Sequence, residues 1–423
     1  MVPRPGQCAV GECGYQVHNL AGECPGGVPR STYLEALLQD LKQLSQTRST
    51  NPFRPGSGIL PPLLAGRERE TAIFEARVAR TLDGQPQHSA LVGEWAIGKT
   101  TLLMHWRRLR QQAGDAVVLS MAYPQSADEF FAGLITAIDA ELATDWPQHL
   151  DLEVGLGVGV AKAHIRRPAR DPERELRSAL RRLVEHQAHR QRAALVLIDD
   201  VDLLPLTGDV LLRLRACALE LYAADLPFAL LVAASSGLFD AVRSAHEPLV
   251  RFFEPLSLGP LDVGDATRAI VEPAEETAVR FDPDVVTEIV ELAGGRPYYL
   301  QKLGYFAFDA AIDRRVTRAE FAVAFERAFA SVSQEIFAAR WARMSPTDRK
   351  VVTMVGRSAE PRPSGDLEAE AMRFGVLPGA TRQSLHRLAV AGEINRFADG
   401  RRGRYAVHDR LFQRYLELQT CEP

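Results

Sequence analysis

Residues 93–100, Gly93-Glu94-Trp95-Ala96-Ile97-Gly98-Lys99-Thr100, fit the phosphate-binding pattern G-x-x-x-x-G-K-S/T. The backbone N–H groups of such a loop converge on phosphate oxygens, and the helix that follows adds its N-terminal dipole. Lys99 would reach the β- and γ-phosphates of a nucleoside triphosphate, and the Thr100 hydroxyl would ligate Mg²⁺. The flanks fit as well. A short apolar run, Ser89-Ala90-Leu91-Val92, leads in, and a helix-like stretch beginning Thr101-Leu102-Leu103 leads out. Of the 50 basic residues only Lys42, Lys99, Lys162, Lys302 and Lys350 are lysines, and one of these falls in the loop.

A second constellation stands apart from the first. Ala193-Ala194-Leu195-Val196-Leu197-Ile198 is continuously apolar and ends in Asp199-Asp200-Val201-Asp202. An all-apolar strand reads as the buried centre of a parallel sheet. Carboxylates at its C-terminal end lie where open α/β sheets bind ligands. Asp199 would hold the metal through water, opposite Thr100, and Asp200 would orient or deprotonate the attacking water.

The elements needed to position these groups can be read along the chain. Strands are expected at Ser89–Val92, Ala116–Ala122, Ala193–Ile198, Phe228–Ala233 and Arg251–Leu256, with helical segments between most of them. That alternation predicts an α/β fold with a five-stranded parallel sheet covered by helices. Pro and Gly crowd residues 51–66, an ordered or linker loop, and Thr71 to Leu82 reads as a helix. Segment 152–160 alternates apolar residues with Gly, a thin ribbon that either projects as a contact element or packs as an insertion. After Leu261 the pattern becomes helical, with Asp265–Val271, Asp284–Ala293 and Arg296–Asp313 the clearest segments. From Ser345 the layout is helix (Arg349–Val355), helix (Leu367–Phe374), helix (Thr381–Ala391), then two alternating segments flanking Asp399-Gly400-Arg401-Arg402-Gly403. This is the layout of a winged helix. The expected divisions are therefore a leader with a short helix (1–50), a core (51–260), a helical lid (261–340) and a winged helix (341–423).

Composition sets outer limits. The chain has 423 residues, 46% hydrophobic and 25% charged, with a formal charge of −4. Attraction to nucleic acid must therefore come from local patches. No apolar run approaches the roughly 20 residues of a membrane span, and residues 1–6 lack an apolar signal core, so a cytoplasmic protein is expected. Cys8, Cys13, His18 and Cys24 offer the ligand types of a Cys₃His zinc site. Their spacing is loose and lacks a C-x-x-C pair, so a flexible leader is the expectation.

Together these motifs resemble the AAA+/STAND class of P-loop ATPases, in the branch of origin-recognition initiators and archaeal-type regulatory ATPases. Five segments over residues 51–418 carry the resemblance: Pro61-Pro62-Leu63-Leu64-Ala65-Gly66-Arg67-Glu68, the phosphate loop, Leu197-Ile198-Asp199-Asp200, Phe252 to Leu261, and Gly295-Arg296-Pro297. The resemblance implies ATP and Mg²⁺ as ligands. It implies that Gly66 and Arg67 line the adenine side and that Pro297 touches the base. Residues Gly93, Glu94, Trp95, Ala96, Ile97, Gly98, Lys99, Thr100 and Thr101 would wrap the phosphates. Ser235 or Ser236 would sense the γ-phosphate, Arg296 would be a second sensor swung in by the lid, and Arg251, with Arg243 as the alternative, would act across a subunit boundary. Two departures matter. Asp200 stands where motors carry Glu, which implies slow turnover and long-lived nucleotide states. Glu94 and Trp95 stand where small or basic residues are commoner, so Glu94 must point away from the phosphates.

Residues 341–423 hold 14 Lys+Arg against 10 Asp+Glu. Arg382, Gln383 and Arg387 on the third helix could meet base edges or phosphates of duplex DNA, with Arg401, Arg402 and Arg404 on the wing. The competing reading is a winged helix that packs on the ATPase core as a clasp. Three functions follow: a nucleotide-driven switch that assembles in its ATP state, a ring-forming DNA initiator or loader, and a non-catalytic adaptor.

Overall fold

Strand β1 (Ser89–Gly93), β2 (Ala116–Met121), β3 (Ala193–Ile198), β4 (Phe228–Ala234) and β5 (Glu254–Leu258) pair in the order β2-β3-β4-β1-β5. Every pairing is parallel. This computed structural model describes residues 50–56, 58–121, 126–143, 172–204, 207–243, 247–358, 360–397 and 403–419. The cysteine- and histidine-bearing leader, segment 152–160, Arg401, Arg402 and the Arg243 side chain lie outside the described residues. β1, β3 and β4 are buried along their whole length, which is why they read as unbroken apolar runs.

Helices α1 (Glu68–Leu82) and α2 (Lys99–Ala113) cover one face of the sheet, with Phe74 stacked on Trp106 at 4.6 Å. The other face packs against α3 (Ala127–Ala143), α4 (Pro172–Ala188), α5 (Thr207–Tyr222) and two short helices, α6 (Leu238–Arg243) and α7 (Glu247–Phe252). The expected fifth strand, Arg251–Leu256, needs correction: Arg251 and Phe252 close α7, and the strand starts at Glu254. Glu247 and Arg251 pair one turn apart, and Leu249 and Phe253 are buried at helical spacing. That period overrides the apolar run.

Beyond the sheet come α8 (Val263–Glu275), α9 (Pro283–Ala293), α10 (Pro297–Asp309) and α11 (Arg318–Val332). This part is not wholly helical, as the sequence led us to expect. Strands β6 (Arg280–Phe281) and β7 (Arg315–Val316) pair in parallel, and two residues are too few to show alternation. A π-helical turn, Ser333–Phe337, joins α11 to α12 (Ala338–Arg343). Then follow α13 (Pro346–Gly356), β8 (Arg362–Pro363), α14 (Ser364–Arg373), α15 (Pro378–Val390), β9 (Asn395–Phe397), β10 (Arg404–Ala406) and α16 (Arg410–Leu418). β10 pairs antiparallel with both β8 and β9, completing a winged helix. Ser345 caps α13 by accepting from the Asp348 N–H, with Pro346 at the first helical position. Among the described residues no helix is long and apolar enough to cross a membrane.

The lid and the winged helix share one hydrophobic core. Phe337 in the π-helical turn meets Tyr299 of α10 at 6.2 Å and Phe412 of α16 at 5.3 Å. A buried ionic network lies within it. Arg340 donates through Nε to Glu393 at 2.8 Å and through Nη1 to Asp409 at 3.3 Å, its guanidinium 3.9 Å from the centre of the Phe412 ring. The Tyr299 hydroxyl donates to the same Asp409 at 2.7 Å.

His88, just before β1, is buried; its Nδ1 accepts from the Leu230 N–H at 3.0 Å and its ring stacks on Phe252 at 4.2 Å. Burial penalises the charged imidazolium and pushes the pKa down from 6.5 to about 4. The unfolded chain therefore takes up a proton first as pH falls. The contribution of His88 is complete above pH 6.5 and is lost as pH drops toward 4, a loss of roughly 3 kcal/mol at about 1.4 kcal/mol per pKa unit. Denaturant unfolding between pH 7 and 4.5 should fall more steeply for the parent than for His88→Leu. That variant starts lower at neutral pH because the Leu230 N–H has lost its acceptor. Parallel pH profiles would contradict the buried neutral histidine.

Candidate functional site

The strand order puts β4 between β1 and β3, so the loop after β1 and the acidic run after β3 face each other across the end of β4. The loop needs a glycine at its entrance. A Cβ on Gly93 would lie 2.7 Å from the Leu258 carbonyl oxygen of β5. Two later positions turn through left-handed backbone, Ala96 (φ 64°) and Gly98 (φ 93°), before α2 begins at Lys99. A non-glycine residue pays a steric cost there, so Ala96 marks a strained turn.

The Lys99 ammonium donates to the carbonyls of Gly93 at 3.0 Å and Glu94 at 3.1 Å. Desolvation lowers its pKa, and the charges of Asp200, Asp202, Asp199 and Glu94 pull in the opposite direction. Asp199 is buried, and desolvation raises its pKa, with repulsion from Asp200 adding to the shift. Opposing this, the Thr100 hydroxyl lies close enough to hydrogen-bond the Asp199 carboxylate, and the Asp200 N–H donates to its Oδ1 at 3.0 Å. Asp200 itself is left-handed (φ 45°), a region Asp tolerates better than most residues. Asp202 Oδ2 accepts from the Ser235 N–H at 3.0 Å, tying the acidic run to the end of β4.

These groups open onto a cavity of about 410 Å³, within the usual range for small-molecule sites. Lys99, Thr100, Thr101 and Asp200 are among its polar lining residues. Ile59, Leu63, Ala65, Leu261, Ala269 and Ile336 are among its apolar ones. Trp95, Ala96, Ile97 and Gly98 line it from the loop, and Pro297, Tyr298 and Gln301 line it from α10. The lining offers a cation and hydroxyls to anionic phosphates and apolar side chains to an apolar group. The oxygens of Thr100 and Asp199, side by side, are the hard donors that Mg²⁺ takes together with phosphate oxygens and water. The residues present fit both groups.

The remaining sequence-expected residues fall as follows. Arg67 is buried and lines the cavity, but its guanidinium donates to the carbonyls of Ile97 (3.2 Å) and Gly259 (2.8 Å), clamping the loop to the end of β5. Gly66 turns at φ 66° against Asp265 and does not line the cavity. Pro297 lies over Gly98, and the Tyr298 N–H donates to the Ala96 carbonyl at 3.3 Å, so α10 docks directly on the loop. Arg296 is turned away from the cavity, donating to the Glu94 carboxylate at 2.5 Å. Ser235 and Ser236 follow β4 without lining the cavity. Arg251 is exposed on α7 and paired with Glu247. On α15, Arg382, Gln383 and Arg387 share an exposed face, where Arg382 pairs with Glu368 at 3.0 Å and Arg387 with Asp348 at 2.8 Å. Arg404 donates to the Pro361 carbonyl.

Sequence reasoning gave no role to Asp202, Gln301, Tyr298 or Glu335. Asp202 had a signal in its place within the acidic run. The others line the cavity through tertiary packing alone. The Pro- and Gly-rich segment is an ordered strap: Asn51 Nδ2 donates to the Tyr305 carbonyl at 2.9 Å, and the Arg54 N–H donates to Gln301 Oε1 at 3.0 Å.

The loop also faces the winged helix. The Arg343 guanidinium lies 5.9 Å from the Trp95 ring centre, and Glu94, Trp95 and Arg296 share a small cleft with Arg340, Glu393 and His408. A Cβ on Gly237, after β4, would lie 2.9 Å from the Val390 carbonyl at the end of α15.

This sheet order, phosphate loop, helical lid and winged helix define an AAA+-type P-loop fold. Residues 63–254 match the family described as AAA ATPase domain. Solved structures share the fold over most of the chain. A Walker-type ATPase of Pyrococcus abyssi is 16% identical, with 86% of this chain and 99% of that one covered at a TM-score of 0.65. The ORC2 protein of Aeropyrum pernix, solved as ADPNP–ADP complexes, is 15% identical, with 87% and 96% covered at a TM-score of 0.60. No curated protein matches the chain.

Gly93→Ala should cost about 1–3 kcal/mol, because the backbone of β5 cannot yield to the added methyl. Urea unfolding checks this, and a variant as stable as the parent would exclude the close approach.

Proposed function

We propose that the protein binds ATP with Mg²⁺, hydrolyses it slowly, and uses its nucleotide state to control assembly and the contacts of its winged helix. One observation carries the reading: a single loop has Lys99 and Thr100 lining the cavity and Glu94 and Trp95 against the lid and winged helix. In this reading residues 51–260 are the ATPase core, 261–340 the lid and 341–423 the winged helix.

Lys99 exchanges its two carbonyl acceptors for phosphate oxygens, and Thr100 and Asp199 hold the metal. Bound Mg²⁺ would neutralise the charge that develops on the transferring phosphoryl group. Asp200, lining the cavity, orients the attacking water. As an aspartate it reaches one methylene less far than a glutamate, which supports slow turnover. The apolar lining of the cavity takes the base beside Pro297, and the nucleotide in the ORC2 structure of the same fold supports that choice of ligand.

The winged helix supports two uses. Its packing through Trp95–Arg343 and Gly237–Val390 favours a clasp, whereas the exposed face of Arg382, Gln383 and Arg387 favours duplex DNA. The pairs to Glu368 and Asp348 compete with phosphate for these arginines. We therefore place the switch first and the DNA loader second.

Calorimetry should find Mg·ATP uptake by the parent and at least about a tenfold weaker uptake by Lys99→Met, which deletes the charge but keeps the length. No uptake by the parent would overturn the reading, and absence of phosphate release despite uptake would select the adaptor. Arg251→Ala should abolish hydrolysis only if catalysis is completed by a neighbouring copy; mass measurements with a slowly hydrolysed analogue test the same assembly. DNA binding through several phosphates should weaken steeply between about 50 and 200 mM salt. Binding that is absent or indifferent to salt would favour the clasp.

A further inference from the structure

Two cations at the phosphate loop, Lys99 and Arg296, both donate to Glu94. The Lys99 ammonium donates to the Glu94 backbone carbonyl at 3.1 Å, and the Arg296 guanidinium donates to the Glu94 carboxylate at 2.5 Å. The pair is largely shielded, with side-chain exposures of 11% for Arg296 and 34% for Glu94, so water screens it less than a surface pair. Arg296 is at the N-cap of α10, immediately before Pro297, which lies over Gly98 and lines the cavity. The Arg296 guanidinium lies in the cleft with Glu94 while the next residue, Pro297, lines the cavity, so this long side chain is rooted between the two. A guanidinium binds carboxylate and phosphate through the same forked geometry, so it serves one at a time.

We infer that Glu94 is a positioning residue: its carboxylate is an internal counter-anion that competes with the terminal phosphate of a nucleoside triphosphate for Arg296. This rests on the nucleotide reading above and extends it to selectivity. A triphosphate displaces the carboxylate and gains the arginine. A diphosphate, one group shorter, leaves the Glu94–Arg296 pair in place. Glu94 thereby lowers the preference for triphosphate over diphosphate and holds α10 to the loop when no phosphate is bound. Release of Glu94 also changes the cleft it shares with Arg340, Glu393 and His408, and so reaches the winged helix.

Titration of the full-length chain with fluorescent ATP and ADP analogues, in the presence of Mg²⁺, tests the inference. Glu94→Gln should tighten ATP about tenfold with little change for ADP, and Arg296→Gln should weaken ATP by about the same factor. The double variant should behave as Arg296→Gln. Glu94→Ala is the second variant, because a glutamine can retain one neutral hydrogen bond to the guanidinium. Thermal unfolding without nucleotide should show a lower midpoint for every variant, since each loses the pair. ATP and ADP affinities that move together, or a lower ATP-to-ADP ratio in Glu94→Gln and Glu94→Ala, would reduce the pair to a structural tie and overturn the inference. Failure of the parent to bind either analogue is a different outcome, because it removes the nucleotide reading and this inference with it.

Discussion

A lysine ammonium withdrawn from water beside three aspartates is the constraint on which the rest of the molecule depends. Lys99 is held by two loop carbonyls, and Asp199, Asp200 and Asp202 offset part of its desolvation. Such a cluster survives only on a rigid frame, because isolated buried charge is costly. The frame is the sheet: β1 delivers the lysine loop, β3 delivers the carboxylates, and β4 between them fixes their separation. Arg67 adds a second clamp by binding the loop and the end of β5 at once.

The charge cluster was legible in the sequence because its parts are local. Phosphate loop, apolar strand and acidic run each occupy fewer than about ten consecutive residues and carry their own chemistry. The parallel sheet followed from the continuous burial of β1, β3 and β4. Long-range features were not legible. Nothing in the sequence joins Arg296 to Glu94, 202 residues earlier, or Arg340 to Asp409, 69 residues later. An unusual Glu94 was noticeable, but not its partner. The misplaced start of β5 has a simpler cause. Leu249, Val250, Phe252 and Phe253, interrupted by Arg251, suit either period, and the Glu247–Arg251 pair with burial beside His88 favours the helix.

The balance of 14 basic against 10 acidic residues over 341–423 does not reveal how the arginines are paired in three dimensions. Arg382 and Arg387 each face a carboxylate, and Arg340 is committed to two. Counting charges along the chain registers none of these pairings. The C-terminal region therefore combines an outward arginine face with an inward ionic network set in the apolar core that joins it to the lid.

That attachment has a mechanical consequence. Phe337, Tyr299 and Phe412 belong to one continuous apolar interior, so α10 cannot shift far without disturbing the packing of the winged helix. A tilt where Tyr298 meets Ala96 is therefore passed through that interior to α16.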